Sequence, residues 1–253
     1  MITHDPKQIE LLRQSGQILA RTLKLVARRV APGVSAYELN QLAEEEISKA
    51  GAVPAFKNYK SSPDDKPFPA TLCVSVNDEV VHGIPAKNKI LKNGDIVGLD
   101  LGVNYQGFFT DAAITVPVGQ VDKQSLKLIE AATECLKKAI EQVAPGKTTG
   151  DVGFATESAA TRYGFQVVRN LVGHGVGAAV HEEPEIPGFG KKGVGTKLVE
   201  GMVIAVEPMV NAGDWAITFD PDGWTIRTAD GSRSAHMEHT LLVTATGCDI
   251  LTA

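Results

Sequence analysis

The sequence has few cysteines and no long hydrophobic run. Its cysteines, Cys73, Cys135 and Cys248, are odd in number, lie far apart and form no CxxC pattern, so neither a disulfide framework nor a cysteine zinc site is expected. No apolar stretch approaches the roughly 18 residues that a membrane-spanning helix needs, and the first residues lack the basic-then-apolar order of a signal peptide. We therefore expect a cytoplasmic protein with no membrane partner.

Strong charge of either sign is also missing. The 253 residues carry a net charge of −5, and lysine and arginine are spread along the chain in short pairs. A nucleic-acid partner would require a basic patch, so none is expected. The composition, 43% hydrophobic and 22% charged, is typical of a globular chain that is long enough for one large core or two small ones.

Start and stop signals predict four helices in two pairs. The first helix begins at Asp5 and Pro6, and the second begins at a capping box formed by Ser35 and Glu38. The third follows an Asp122 cap and runs to the Ala-Pro-Gly sequence at 144–146, and a fourth ends at Gly164. Residues 57–70 are polar and interrupted by prolines, which predicts a loop.

The segment DLGVNYQGFFTD, from Asp100 to Asp111, lies between two apolar, β-branched runs and predicts a hairpin. If Tyr105 and Gln106 form a two-residue tip, Asp100 lies directly opposite Asp111, with Cβ atoms roughly 4.5–5.5 Å apart. Two carboxylates this close repel each other unless a proton or a cation lies between them, and aspartate oxygens suit a divalent metal. The alternative is that one aspartate is a turn or edge residue and the pairing is off by one.

The two halves of the sequence are similar. Residues 31–51 align without a gap on 144–164, and VHGIP at 81–85 resembles VHEEP at 180–184. NGDIVGLD at 93–100 resembles EGMVIAVE at 200–207, and TDAAITV at 110–116 resembles MEHTLLV at 237–243. This order predicts a single domain, 1–253, of two pseudo-symmetric halves, roughly 1–120 and 121–253.

The alignment pairs Asp100 with Glu207 and Asp111 with Glu238. Four acids that converge on the seam between the halves require cations, and two divalent metal ions bridged by carboxylates and a water would satisfy them.

Histidines in motif-like contexts complete the candidate site. His174 lies between glycines in VGHGVG and is favoured as a nitrogen ligand. His82 and His181 occupy equivalent positions in the two halves, which suits a pair that flanks the site without binding metal; the alternative is a structural role for both. His239 follows Glu238 in a strand and should face the other way.

The order Asp100, Asp111, His174, Glu207, Glu238, with HGVG, HEEP, VEPM and MEHT, resembles the methionine aminopeptidases, specifically the bacterial type I group. The resemblance covers nearly the whole chain. It implies the pita-bread α/β (α+β) fold, with these five residues as ligands of two divalent metal ions at the seam of its two halves. Cobalt, manganese, iron, zinc or nickel could each occupy such a site. The implied activity is removal of the initiator methionine from nascent chains when the second residue is small.

The resemblance also implies roles for neighbouring residues. His82 and His181 contact the substrate, and Glu207 handles the proton of the attacking water. An apolar pocket for the methionine side chain is lined by the positions that match the family's pocket: Phe56, Tyr59, Phe68, Cys73, Val180 and Trp224. Of these, Phe56 fits ordinary core packing better.

The sequence departs from the family pattern near this pocket. SSPDDKP at 61–67 is an insertion, and Gly102, Phe109, Val180, Gly188 and His236 replace residues that are common in relatives. None of these changes removes a predicted ligand, so we expect them to alter the pocket wall. Two other interpretations remain: a prolidase or Xaa-Pro aminopeptidase of the same fold, and a non-enzymatic binding module. A monomer that acts near the ribosome is expected.

Overall fold

The computed structural model describes residues 1–60 and 62–253. Within these residues the helices are α1 Pro6–Arg29, α2 Ala36–Lys49, α3 Lys123–Ile140 and α4 Thr149–Tyr163. The strands are β1 Val53–Pro54, β2 Leu72–Val76, β3 Glu79–Val81, β4 Ile96–Tyr105, β5 Phe108–Pro117, β6 Gln166–Val167, β7 Val172–Gly175, β8 Glu182–Pro187, β9 Val203–Val206, β10 Met209–Asn211, β11 Ile217–Phe219, β12 Ile226–Thr228, β13 Ser234–His236, β14 His239–Val243 and β15 Cys248–Ile250. No helix of this part of the chain is long and apolar enough to span a bilayer.

The strands form antiparallel sheets. In the first half, β4 pairs with β5 on one edge and with β1 and β2 on the other. In the second half, a five-stranded sheet has the order β15-β14-β9-β7-β8. Two three-stranded sheets, β13-β10-β6 and β11-β12-β3, complete the arrangement. Mixed helices and antiparallel sheets confirm the predicted fold class.

The predicted caps are present at the helix starts. The Asp5 side chain accepts from the backbone of Lys7 at 2.9 Å, and Ser35 and Glu38 form the capping box of α2. Asp122 caps α3, but this helix ends at Ile140, before the predicted stop at 144–146. Residues 141 and 142 form a turn there instead.

The second helical pair repeats the local chemistry of the first. Thr148 and Asp151 form a capping box at α4, at the positions that align with Ser35 and Glu38. Gly164 ends α4 in the left-handed conformation, with φ of 79°. The sequence similarity therefore reflects a repeated structural unit.

Each half has its own core. In the first half, α1 and α2 pack on the sheet through Leu19, Leu23, Leu39, Leu72 and Leu99, among others. In the second half, α3 and α4 pack on their strands through two clusters, which include Leu128, Ala132 and Val210, and Leu136, Leu198 and Ile204. The burial of these side chains fixes the helices of each half on its strands, and residues from both halves line the candidate site.

The β4–β5 hairpin differs from its predicted register. Its tip is Gln106 and Gly107, with φ of 52° and 88°, as a type I′ turn requires, and glycine tolerates this conformation readily. Asp100 pairs with Ala113, and Asp111 with Gly102. The predicted direct opposition of the two aspartates was therefore wrong by two residues. Because side chains alternate with period two, an even shift keeps both aspartates on one face of the sheet.

Hydrogen bonds join the two halves where the acids converge. The Thr240 hydroxyl donates to the carbonyl of Asp111 at 2.7 Å and accepts from the Asp111 amide at 2.8 Å. The Thr115 hydroxyl makes the same pair of bonds with the backbone of His236, at 2.8 and 2.9 Å. The Glu238 amide donates to Ala113 at 2.9 Å. These contacts hold the edges of both sheets in fixed positions.

Candidate active site

Four carboxylates converge on the floor of one pocket of about 480 Å³, its open mouth included. Asp100 and Asp111 come from β4 and β5. Glu207 directly follows β9 and Glu238 directly precedes β14. His239 pairs with Val206, so Glu238 and Glu207, the next residue on each strand's side, lie opposite each other. The acids are therefore directly opposed in the second half and diagonal in the first.

Burial makes this cluster electrostatically costly. The exposed fraction is 8% for Asp100, 3% for Asp111 and 2% for Glu238. Desolvation, followed by the charge of neighbouring carboxylates, raises the pKa values of Asp111 and Glu238 well above their ordinary range. Desolvation also raises the pKa of Asp100 to about 6. Like charges held together in a buried site favour either a proton or a cation.

Polar atoms that lack a partner point to the same conclusion. Among the described residues, the buried side-chain atoms without a hydrogen bond include Asp100 Oδ1, Asp111 Oδ1, Glu238 Oε1 and His236 Nε2. Buried polar groups are normally hydrogen-bonded, because leaving one unpaired costs about 1–3 kcal/mol. Carboxylate oxygens and imidazole nitrogen are good donors to divalent transition-metal ions. The residues present therefore fit a divalent metal.

His174 is oriented by its own strand. Its Nδ1 donates to the carbonyl of Gly175 at 2.9 Å, because a carbonyl only accepts. In the neutral ring this bond places the proton on Nδ1, and Nε2 lies 3.3 Å from Glu207 Oε1. A Cβ on Gly173 would lie 2.5 Å from the Ala205 carbonyl. The glycine on that side allows the close approach of β9.

The donor atoms form two groups that share one residue. Asp111, His174 and Glu238 each place a donor atom within 4.8 Å of the others, and so do Glu207, His236 and Glu238. Each group combines carboxylates with one imidazole. Of the five predicted ligands, Asp100 is in neither group, but its carboxylate touches the cluster through Asp111.

His82 and His181 lie on the pocket wall, as the repeat predicts. His82 follows β3 with φ of 58°, a left-handed conformation that is uncommon for a residue other than glycine and often occurs at functional sites. The amide of Gly83 donates to Ser75 Oγ at 3.1 Å and helps to fix this turn. Burial lowers the pKa of His82 to about 4, so the imidazole is neutral at pH 7.

The ring of His181 is held between two neighbours. Its centroid lies 4.3 Å from that of His174, edge-on, and its Nδ1 shares a hydrogen bond of 2.7 Å with the Tyr59 hydroxyl. Although the residue is partly open to solvent, desolvation of the side that faces the pocket lowers the pKa of His181 to about 4, and His174 adds to this effect.

The remaining pocket wall is apolar and includes the predicted residues of this kind except Val180, which packs in the hydrophobic cluster behind the wall without lining the pocket. Phe68 and Trp224 pack edge to face with centroids 5.3 Å apart, and Cys73 is buried beside Asp100, its partner in the sheet. The cluster behind this wall also includes Phe56, Tyr59 and Val180. Phe56 both packs in the cluster and lines the pocket.

Two departures from the family pattern have clear structural consequences. A Cβ on Gly102 would lie 2.6 Å from Phe56 Cε1, so the missing side chain leaves room for this ring. In the 61–67 insertion, Ser61 lies outside the described residues. Nearby, the Trp224 indole donates to the carbonyl of Lys66 at 3.1 Å, which ties the insertion to the pocket wall.

Sequence reasoning missed one residue of the cluster. His236 was expected to affect the pocket wall; instead its Nε2 lies 3.4 Å from Glu207 Oε2 and 3.9 Å from Glu238 Oε2. The signal that could have found it is its two-residue spacing from Glu238, because alternate residues of an extended chain share a face. In contrast, His239 faces away and its Nδ1 bonds Thr252 Oγ1 at 2.9 Å, as predicted.

A pocket with clustered carboxylates and imidazoles on its floor and an apolar wall is typical of metal-dependent hydrolases. Residues 10–245 match the model of metallopeptidase family M24. A methionine aminopeptidase of Aquifex aeolicus is 46% identical over 253 residues, which cover 98% of this chain and 97% of the relative. The chain belongs to metallopeptidase family M24.

Solved structures agree with this membership. The crystal structure of a methionine aminopeptidase from Thermotoga maritima superposes with a TM-score of 0.95 at 43% identity, and the match covers 100% of this chain and 99% of that chain. A prolidase from Pyrococcus furiosus superposes at 0.79 with 24% identity, over 100% of this chain and 65% of that chain, and so shares the fold. The fold is the pita-bread fold, which confirms the predicted resemblance.

Proposed function

We propose that this protein is a metal-dependent aminopeptidase that removes the initiator methionine from nascent chains whose second residue is small. One observation carries the proposal: the carboxylate–imidazole cluster opens directly into an apolar pocket lined by Phe68, Cys73 and Trp224. Aromatic rings and a thiol suit the polarizable thioether of methionine. The similarity to methionine aminopeptidases over nearly the whole chain supports the same substrate.

The proposed ligands are Asp100, Asp111, His174, Glu207 and Glu238. Four carboxylates carry more charge than one divalent ion neutralises, and the two donor groups share Glu238, so the proposal is a dinuclear site. When bound, two divalent ions supply an activated water and polarise the scissile carbonyl. Cobalt, manganese, iron, zinc and nickel are all compatible with these donors.

Glu207 is the proposed proton acceptor. Burial opposes its ionisation, but the neighbouring His236 and His174 outweigh this effect and lower the pKa of Glu207 below its ordinary value. It is therefore ionised at pH 7 and can take a proton from the attacking water. A proton acceptor must lie within hydrogen-bond reach of the proton that it takes, and Glu207 lines the pocket beside the other acids.

His181 and His82 are the proposed substrate contacts. We assign the Tyr59 hydroxyl as the donor in its hydrogen bond with Nδ1 of His181, which leaves the proton on Nε2 for a hydrogen bond to the developing oxyanion. His82, on the same wall beside Trp224 at a centroid distance of 6.0 Å, steadies the leaving nitrogen. Both imidazoles are neutral at pH 7 because their pKa values are about 4, so each can donate one hydrogen bond without adding charge.

The proposal extends to the protein's setting. We propose one catalytic domain over 1–253 that acts as a monomer in the cytoplasm, on chain ends that emerge from the ribosome. Nascent polypeptides are its substrates, and nucleic acid is not a partner, since the net charge is −5.

A cleavage assay by mass spectrometry tests the function. Metal-free protein is incubated with Met-Ala-Ser and with Ala-Pro-Ser, each with and without manganese or cobalt. The expected result is metal-dependent loss of methionine from the first peptide alone. Cleavage of the second peptide instead would assign the protein to the proline-directed enzymes, and cleavage of neither would leave a binding role.

A further inference from the structure

Apart from its effect on the pKa of Glu207, His236 is an imidazole of the cluster to which the proposed function gives no role. It is 3% exposed, and its backbone is fixed by the Thr115 hydroxyl through two hydrogen bonds. Because the strand edge and the buried environment both constrain it, the ring has little freedom to turn away from the acids. Its position is therefore set by the fold of both halves.

The Nε2 atom of His236 faces two acids at ion-pair distance but forms no well-aligned hydrogen bond with either. It lies in ion-pair range of Glu207 and Glu238, at 3.4 and 3.9 Å, yet it has no hydrogen-bond partner among the described residues. A buried nitrogen of this kind costs free energy unless something binds it. The three side chains place donor atoms within 4.8 Å of one another, which is a distance that suits coordination of a shared ion.

We propose that His236 is an additional metal ligand, which supplies a second imidazole on the side of the cluster formed by Glu207 and Glu238. The proposal rests on the metal dependence proposed above. It gives each of the two donor groups one nitrogen: His174 in one and His236 in the other.

The consequence is a change in metal preference. Imidazole favours cobalt, nickel and zinc, whereas a site made only of carboxylates is better suited to manganese. A second imidazole therefore increases the affinity for cobalt and nickel more than the affinity for manganese. It makes the ion on the Glu207 side harder to exchange for manganese.

The substitution His236→Gln distinguishes a ligand from a residue that only orients Glu207. A glutamine amide can still donate a hydrogen bond to Glu207, but it has no imidazole nitrogen to offer a metal. His239→Gln is the matched control, because His239 lies three residues away and bonds Thr252 instead of the cluster. Circular dichroism checks that both variants fold.

Calorimetric titration of metal-free protein with cobalt, nickel and manganese is the test. For His236→Gln we expect cobalt and nickel affinity at one site to fall at least about tenfold, manganese affinity to fall much less, and the control to match wild type. An equal loss for all ions, or no loss, overturns the proposal. X-ray absorption of cobalt-loaded wild type gives a readout independent of any variant. Scattering from only one imidazole ligand, which is that expected of His174 alone, overturns the proposal.

The assay also separates this inference from the proposed function. If wild type binds no metal and does not cleave Met-Ala-Ser, both fail. If wild type binds metal and removes methionine while His236→Gln has unchanged metal preference, only the role of His236 fails.

Discussion

The Tyr59 hydroxyl and Nδ1 of His181 are 2.7 Å apart, although the residues are 122 positions apart in the chain. Tyr59 lies on the first half and His181 on the second, so this bond joins the two walls of the pocket. It also fixes the rotation of the imidazole, whose ring packs edge-on against that of His174.

Tyr59→Phe should lower kcat about tenfold, because a hydrogen bond contributes about 1–1.5 kcal/mol to positioning. The ring remains, so the pocket keeps its shape and KM should change less than about twofold. Steady-state cleavage of Met-Ala-Ser gives both constants. Tyr163→Phe is the control, since the Tyr163 hydroxyl donates to Glu130 on the exposed surface. Equal losses in the two variants would contradict a positioning role for Tyr59.

Loss of a central ligand should abolish turnover without unfolding the chain. Asp100→Ala or His174→Ala removes a donor from the cluster but leaves the strands that carry it. Because bound metal supplies several kcal/mol of transition-state stabilisation, methionine release should fall at least about 10³-fold. His239→Ala should keep most of its activity. A folded Asp100→Ala or His174→Ala variant with near-normal activity would refute the ligand assignment.

The metal-free protein should gain stability when one acid is neutralised. Glu238 is 2% exposed and its Oε1 lacks a hydrogen bond, so Glu238→Gln removes a carboxyl group whose ionisation the buried site opposes. We expect the free energy of unfolding to rise by about 1 kcal/mol or more, which corresponds to about 2–4 °C in Tm for a chain of this size. The exposed Glu200→Gln variant is the control. Added manganese should stabilise wild type more than Glu238→Gln.

The same pair of proteins predicts a pH dependence. The folded-state pKa of Glu238 is raised, so its contribution to stability is present below its unfolded pKa and is lost as pH rises through the folded value. Glutamine does not titrate. The Tm advantage of metal-free Glu238→Gln over wild type should therefore be small near pH 4 and grow toward pH 8. A difference that shrinks with rising pH, measured by differential scanning calorimetry, would contradict the raised pKa.

Much of the architecture could be predicted because its signals are local. Asp5, Ser35 and Asp122 cap helices where the sequence places them, since capping depends on residues within one turn. The repeat predicted that Asp100, Asp111, Glu207 and Glu238 converge, and they do. Their assignment as ligands stays a prediction.

What the sequence could not provide depends on register and on contacts between distant segments. The hairpin shift arises because a type I′ turn favours glycine at its second position, and Gly107 meets this requirement better than Gln106. The role of His236 depends on Thr115, 121 residues away, which holds it beside the acids. The two-residue spacing from Glu238 indicates a shared face, but the contact with Thr115 is not visible in any local pattern.

Gly102 and Phe56 should be energetically coupled. A Cβ at position 102 would lie 2.6 Å from Phe56 Cε1 and 2.9 Å from the Ala55 Cβ, both far closer than ordinary contact. Gly102→Ala should therefore cost about 1–3 kcal/mol of unfolding free energy through overpacking. Phe56→Ala should cost about 3–5 kcal/mol, because the ring is buried and leaves a cavity.

The double variant provides the decisive measurement. With the ring gone, the methyl group at position 102 keeps its close approach to the Ala55 Cβ but loses the closer contact with the ring, so Phe56→Ala combined with Gly102→Ala should cost less than the sum of the single changes. Urea unfolding of the four proteins gives the coupling energy, which should be about 0.5–3 kcal/mol. Ala205→Gly changes another buried position. Its loss of unfolding free energy should add to that of Phe56→Ala, with no coupling energy between the two. If the losses of unfolding free energy from Gly102→Ala and Phe56→Ala are strictly additive, the strand moves away from the ring. In that case Phe56 is not the reason that position 102 requires glycine.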